Sequence, residues 1–182
     1  MRVWLALANG IDALNERIGR AVTWLVLVVT LISAANAVLR YGLNSSSNAW
    51  LEIQWYLFGA IFLLGAGYTL KHNGHVRIDV LYGRYSVRGK AWVDLIGTLL
   101  FLLPMSGLMA WLGWHFFVAS YAIGESSPDA GGLWRWPIKL MLPLGFALLW
   151  LQGVAEALKR VAMLRGALPF PSEPAETVRE VA

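Results

Sequence analysis

Four long apolar segments dominate the pattern of hydrophobic and polar positions along this chain of 182 residues. A helix needs about 20 mostly apolar residues to cross the roughly 30 Å of hydrocarbon in a bilayer. Each segment is long enough for one crossing, and the third exceeds that length, with Pro104 as the expected place for a bend. The pattern predicts an all-α integral membrane protein whose four transmembrane helices lie at about residues 21–39, 48–70, 92–119 and 136–158.

The first 19 residues follow a different pattern. Apolar side chains recur there every three or four positions and polar ones fill the other side, the apolar stripe being Trp4, Leu7, Ile11, Leu14 and Ile18. This spacing is typical of an amphipathic helix that lies in the interface plane of a membrane. The alternative is a frayed extension of the first span, broken at Asn9-Gly10. No continuous apolar run occurs here, so we expect no cleaved signal peptide.

Basic residues are distributed unevenly among the segments that join the spans. Only Arg40, Arg135 and Lys139 lie on one side of the predicted membrane, and the other twelve lysines and arginines lie on the opposite side. Short loops rich in these residues remain in the cytoplasm, so both chain ends are predicted to be cytoplasmic. The predicted organisation is an interfacial helix, a transmembrane domain and a disordered tail over residues 1–19, 20–160 and 161–182.

The composition supports a membrane protein and argues against several kinds of site. Hydrophobic residues make up 58% of the chain and charged residues 14%, a balance that one soluble core could not hide. The basic net charge is therefore explained by membrane orientation rather than by nucleic-acid binding. Cysteine is absent, which removes disulfides, thiol catalysis and thiolate metal sites. We expect neither an enzyme nor a resident cofactor or metal ion.

Glu52 is the first residue that could carry chemistry, because a carboxylate within a span is costly and often functional. It lies about one turn inside the second span, and Arg40 lies at a similar depth at the end of the first. We interpret the two as a structural ion pair that ties these spans together. The alternative is that Glu52 binds a proton or a substrate.

The other polar residues near the spans are expected to have structural roles. Lys139 can extend its ammonium group to water or headgroups. Asp94 is expected to meet a cation of the inner surface, and Glu156 to pair on its own helix; the candidates are Lys71, Arg77, Arg88 or Lys90 for Asp94, and Lys159 or Arg160 for Glu156. Of the three histidines only His115 lies within a span, so haem held by two histidines is not expected.

Several short blocks occur in a fixed order along the predicted spans. They are Arg40-Tyr41, Asn48-Ala49-Trp50-Leu51-Glu52, Trp55-Tyr56-Leu57-Phe58, Gly65-Ala66-Gly67-Tyr68-Thr69-Leu70, Gly74-His75-Val76-Arg77-Ile78-Asp79, Ile138-Lys139, Pro143-Leu144-Gly145-Phe146 and Leu151-Gln152-Gly153. Each block alone is weak, but their order, their spacing and the four-span frame resemble the small, Q-type (DctQ-like) membrane subunit of tripartite ATP-independent periplasmic (TRAP) transporters. The stretch 125–139 is similar to the branch associated with 2-oxo acids, lactate and related anions.

The resemblance implies a subunit of the bacterial inner membrane that has two protein partners. One is a large, M-type membrane subunit that binds substrate and sodium. The other is a soluble periplasmic binding protein, the P-type subunit. The small subunit is then expected to be a scaffold surrounded by phospholipid. Ten residues become candidates for structural roles or partner contacts: Arg40, Glu52, Trp55, Gly65, His75, Arg77, Asp79, Trp4, Ile11 and Pro143.

Within that interpretation, the N-terminal stripe is expected to anchor the chain in the inner leaflet or against the large subunit. The turn-rich loop 120–136 is either a docking surface for the binding protein or an ordinary tight connection. Two rival functions remain. A self-sufficient proton-coupled exporter would use Glu52, and a membrane anchor of a redox complex would need paired histidines or cysteines.

Overall fold

The computed structural model describes residues 2–44, 47–74 and 82–170. This part of the chain contains four helices that are long and apolar enough to cross a membrane: α1 (Arg2–Gly42), α2 (Asn48–Lys71), α3 (Val87–Ala122) and α4 (Trp136–Leu164). The described residues form no β-strand beyond one isolated bridge between Ser126 and Trp134. The prediction of an all-α membrane protein with four spans is confirmed.

The helices form an up-and-down bundle in which α4 is central. It packs against each of the other three helices, α2 also packs against α1, and α3 makes its main contacts with α4. We call the end where α1 begins and α4 finishes the basic end. The opposite end, which contains the connection between α3 and α4, is called the hairpin end.

Helix α1 continues without interruption through the segment that was predicted to lie in the membrane interface. It has no break at Asn9-Gly10, so residues 2–19 and the first span form one helix of 41 residues. Its buried positions recur every seven residues, at Ala8, Asn15, Val22, Val29 and Asn36. A seven-residue repeat keeps one face of a helix against its neighbours. An orientation of residues 1–19 in the membrane plane stays a prediction.

Helix α3 contains a π-helical turn over Thr98–Leu102, directly before Pro104. Proline has no backbone N–H, so it cannot donate the usual hydrogen bond to the carbonyl four residues earlier. The N–H of Leu103 instead donates to the carbonyl of Thr98, five residues back. The irregularity expected at Pro104 is therefore a wider turn inserted into an otherwise continuous helix.

Two glycines allow the helices to approach closely. A Cβ atom on Gly145 of α4 would lie 2.6 Å from the carbonyl oxygen of Leu63 in α2. A Cβ atom on Gly67 of α2 would overlap the side-chain amide of Asn15 in α1 and lie 3.2 Å from the carbonyl oxygen of Leu148 in α4. A Cβ atom on Gly145 would therefore clash with backbone, and one on Gly67 would displace the buried amide. Small residues of this kind let membrane helices pack backbone against backbone.

Candidate functional site

The charged side chains of the bundle lie in two clusters, one at each end. On α2, Lys71 lies 19 positions after Glu52, and on α4, Lys159 lies 20 positions after Lys139. At 1.5 Å per residue these spacings correspond to about 28–30 Å, the thickness of a bilayer's hydrocarbon core. The clusters therefore lie where the two boundaries of the membrane are expected.

At the hairpin end, residues 123–135 form a compact hairpin between α3 and α4. The N–H of Ser127 donates to the carbonyl of Leu133 over 2.9 Å, and the N–H of Arg135 donates to the carbonyl of Glu125 over 2.9 Å. A turn closes the tip, where the N–H of Gly132 donates to the carbonyl of Asp129. The loop that the sequence left undefined thus has an internal structure of its own.

Glu52 fastens this hairpin to the start of α2. Its side chain is nearly enclosed, with 3% of the residue exposed. The backbone N–H of Leu133 donates to Oε2 over 2.6 Å, and the hydroxyl of Ser127 donates to Oε1. The guanidinium of Arg135 lies 3.7 Å from Oε1. The carboxylate therefore receives two donors and one positive charge, all from the hairpin.

The predicted ion pair between Arg40 and Glu52 is wrong. Arg40 is exposed near the end of α1, and Arg135 is the cation that faces Glu52. The hairpin folds over the Glu52 carboxylate, and the backbone N–H of Leu133 donates to it. The hairpin therefore takes the position that the prediction gave to Arg40 of α1. Arg135 also lies over the ring of Trp55, 5.1 Å from its centre, which places Trp55 beside this cluster.

Lys139 also differs from its prediction, because its ammonium group does not extend to water or headgroups. It pairs with Glu125 of the hairpin and lies 4.1 Å from the centre of the Phe116 ring. The bond from Lys139 is the main reason why the pKa of the Glu125 carboxyl is below its ordinary value. This pair forms a second attachment between the hairpin and α4.

At the basic end, three polar side chains join α1 to α4 inside the bundle. The amide of Asn15 donates to Oε1 of Gln152 over 3.0 Å, and Nε2 of Gln152 donates to Asp12 over 2.7 Å. Gln152 is fully buried and Asn15 is 1% exposed. Buried polar groups in hydrocarbon need such partners, so these bonds hold the two helices in one register.

Ion pairs lie around the buried hydrogen bond between Asn15 and Gln152. Lys159 contacts Asp12 over 3.1 Å and also pairs with Glu156, as the sequence predicted for Glu156. Glu16 accepts from Lys71 over 2.8 Å. Arg20 and His72 bind the same carboxylate, at 2.9 and 2.8 Å. The start of α1 is therefore attached to the last turns of both α2 and α4.

Asp94 pairs with Arg160 of α4 over 3.1 Å and accepts from the hydroxyl of Tyr82. The cations that the sequence suggested for Asp94 were Lys71, Arg77, Arg88 and Lys90, so that prediction is corrected. Arg77 lies outside the described residues. Arg160 is the partner because α3 packs mainly against α4, which presents its last turns to the first turns of α3.

The remaining candidates are spread over the bundle. Trp4 is exposed and Ile11 is half-buried on α1. A Cβ atom on Gly65 would make only an ordinary contact with Val22 of α1, and Pro143 is buried against Gly113 of α3. His75, Arg77 and Asp79 lie outside the described residues. A role in partner contacts stays a prediction for all ten candidates.

Several residues of both clusters were not predicted from the sequence, namely Asp12, Asn15, Glu16, Ser127 and Arg135. Asn15 lies off the apolar stripe that the sequence showed, and only the structure places it at a buried position of α1 between Ala8 and Val22. A polar residue at such a buried position needs a partner on the facing helix. Ser127 and Arg135 had no signal in the sequence, since their roles arise from the fold of the hairpin.

Both clusters attach elements of the fold to one another. Among the described residues, no group of three or more histidines and carboxylates is placed to hold a metal ion. The parts of the spans between the clusters contain no lysine, arginine, aspartate or glutamate; these are residues 21–39, 53–70, 95–122 and 140–155. Charges thus support the ends of the bundle and leave its middle to apolar packing.

The family model and the curated relatives that match this chain all name the same kind of protein. The family model described as "Tripartite ATP-independent periplasmic transporters, DctQ component" matches residues 29–163. The chain is 28% identical to the ectoine TRAP transporter small permease protein TeaB of Halomonas elongata, over 75% of this chain and 69% of that protein. It is 28% identical to the C4-dicarboxylate TRAP transporter small permease protein DctQ of Pseudomonas aeruginosa, over 88% and 84%. No solved structure matches.

Proposed function

Because this chain belongs to the DctQ family of small subunits of TRAP transporters, we propose that it is the scaffold on which a large membrane subunit works. In this proposal the large subunit carries the substrate path and couples uptake to sodium. A periplasmic binding protein delivers an organic acid anion to it. The small subunit itself binds no substrate.

The absence of charged residues from the middle of the spans carries this proposal. An anion that crosses a membrane needs cations or oriented dipoles along its path. In this chain the lysines and arginines lie at the two ends, and the stretches between them are uncharged. Glu52, the carboxylate that an exporter would need, is enclosed by Leu133, Ser127 and Arg135. Both oxygens of this carboxylate therefore already accept hydrogen bonds from groups of the same chain.

The bundle is also held at both ends, as a scaffold requires. Glu52 and Lys139 attach the hairpin to α2 and α4. Gln152 and Lys159 attach α4 to α1. Polar contacts at both ends of an apolar bundle oppose the sliding of one helix past another. We infer that this subunit is the static part against which the partner moves.

Helix α1 offers a surface for that partner. Opposite its buried repeat, α1 exposes apolar side chains at the same seven-residue spacing: Trp24 is 70% exposed, Leu31 60% and Val38 69%. A repeated apolar row of this kind suits packing against another membrane helix. We propose that the large subunit covers this row, which we call the α1 row.

The proposed orientation follows the positive-inside rule. It places the basic end and both chain ends at the cytoplasmic face of the bacterial inner membrane. The hairpin then faces the periplasm, where it is available to the binding protein. We assign substrate specificity to the other subunits, because relatives named for ectoine and for C4-dicarboxylates are both 28% identical to this chain. Within the family, 2-oxo acids and lactate are the substrates we propose.

Co-purification tests the scaffold proposal. The tagged chain, co-expressed with the large subunit of the same transporter, is expected to retain it in mild detergent. Replacing Trp24, Leu31 and Val38 by alanine is expected to reduce that retention at least fivefold, because the row loses its packing surface. The matched control replaces Leu100, Met105 and Leu108, which are equally exposed on α3. Equal retention by both triple variants would refute the assignment of the α1 row, and no retention by the wild type would refute the scaffold.

A further inference from the structure

A polar groove of about 420 Å³ lies at the basic end, where α1 passes the last turn of α2. Asn9, Ala13 and Arg17 line it from α1 at intervals of four residues, so they form one stripe along the helix. Lys71 lines it from α2. The small side chain of Ala13 leaves the space between Asn9 and Arg17 open.

The two carboxylates around this groove do not neutralise all of its positively charged side chains. Glu16 accepts from Lys71 and Arg20, and Asp12 contacts Lys159. Both carboxylates of the groove are therefore already paired. Arg17 is exposed and makes no ion pair within the described part of the chain. Arg20 binds Glu16 through Nε, and 76% of its side chain is exposed.

The depth of the groove matches the position of lipid phosphates. Lys71 is 19 residues from Glu52 on the same helix, about 28 Å along its axis. If Glu52 marks one boundary of the hydrocarbon, Lys71 and the groove mark the other. Phosphate groups of a bilayer lie directly outside that boundary. Arginine side chains bind phosphate through two parallel hydrogen bonds.

We propose that this groove binds the headgroup phosphate of an anionic phospholipid. Arg17 and Arg20 donate to the phosphate oxygens, and Asn9 donates its amide to the headgroup. The lipid then lies against α1 and α2 and adds a contact between them outside the bundle. The proposal rests on membrane insertion of the four helices and does not depend on the scaffold function or on any partner subunit.

Native mass spectrometry of the full chain tests this site directly. The protein is stripped of lipid in detergent and titrated with phosphatidylglycerol or phosphatidylcholine. We expect tighter binding of phosphatidylglycerol, and we expect Arg17→Gln to weaken it about fivefold, the effect of one cation near a membrane surface. The matched control is Arg2→Gln, which removes an exposed arginine of the same helix outside the groove. Equal losses in both variants would overturn the site in favour of diffuse attraction.

A second pair of variants changes the shape of the groove without changing its charge. Ala13→Leu fills the groove and is expected to weaken phosphatidylglycerol binding, whereas Ala6→Leu, at an exposed position of α1 outside it, is expected to have no effect. Leucine and alanine both favour helix, so neither variant should disturb α1. Inorganic phosphate is added in a separate arm. Displacement of the lipid by equimolar phosphate, or unchanged lipid binding by Ala13→Leu, would contradict the proposal.

Discussion

Glu52 illustrates how a carboxylate is accommodated near the edge of a membrane. Sequence reasoning identified it as a costly carboxylate within a span, since position within a span can be read from hydropathy. Its partner was assigned wrongly to Arg40. The true environment consists of the backbone N–H of Leu133, the hydroxyl of Ser127 and the guanidinium of Arg135. These groups are 75 to 83 residues away in the chain, so no local pattern reveals them.

Substitutions of Arg135 and Arg40 test which of the two arginines is the partner of Glu52. Arg135→Gln removes the cation beside Glu52 and the bond to Ser127. We expect it to lower the melting temperature of the detergent-solubilised protein by about 3–6 °C. Arg40→Gln changes an exposed side chain at the same end of the bundle and is expected to leave the melting temperature within about 1 °C of wild type. A larger loss for Arg40→Gln than for Arg135→Gln would restore the original pairing.

Buried amides show the same limit of sequence reasoning. The sequence marks Trp4, Leu7, Ile11, Leu14 and Ile18 as the apolar stripe of this segment, whereas the structure buries Ala8 and Asn15. The partner of Asn15, Gln152, is 137 residues away. Gln152 was part of a family block, which marked it without assigning a contact. The pairing of these two amides therefore becomes apparent only when the fold brings α1 and α4 together.

Helices were predicted well because a membrane sets their length. About 20 apolar residues in a row leave few alternatives to a spanning helix, and all four segments are helical. The connections were predicted less well. The change of pattern near Gly19 suggested two elements, whereas packing on α2 and α4 keeps α1 in one helix. The π turn in α3 follows from Pro104, whose missing N–H fixes where the hydrogen bonds must shift.

The hairpin is the element whose location distinguishes the two faces of the membrane. The chain has no cysteine, so single substitutions give unambiguous labelling sites. Asp129→Cys at the exposed hairpin tip is expected to react with a membrane-impermeant maleimide added to intact spheroplasts. Arg88→Cys, exposed at the basic end, is expected to react only after the membrane is opened. The same Asp129→Cys variant is expected to cross-link to the binding protein.

The opposite labelling pattern would reverse the proposed topology. Labelling of Asp129→Cys from outside without any cross-link to the binding protein would keep the topology and remove the hairpin as a docking surface. A cross-linker of short span is needed, because a long one would report proximity to the whole complex rather than to the hairpin.

In the bundle as a whole, the charged side chains lie at the two ends. These charged levels are about 28–30 Å apart, and the helices pack closely in the uncharged stretches between them. The family and the four-span architecture were both identified from the sequence, and the family match over residues 29–163 confirms the resemblance. The resemblance could be recognised because the blocks keep a fixed order and spacing within the four-span frame.

Uptake by proteoliposomes distinguishes a scaffold from a transporter in its own right. Vesicles carry an inward sodium gradient and receive a panel of labelled organic anions, including 2-oxo acids and lactate. We expect no uptake with this chain alone, and sodium-dependent uptake when the large subunit and the loaded binding protein are present. Omitting only this chain is expected to reduce that uptake at least tenfold. Uptake by this chain alone, or undiminished uptake without it, would contradict the scaffold proposal.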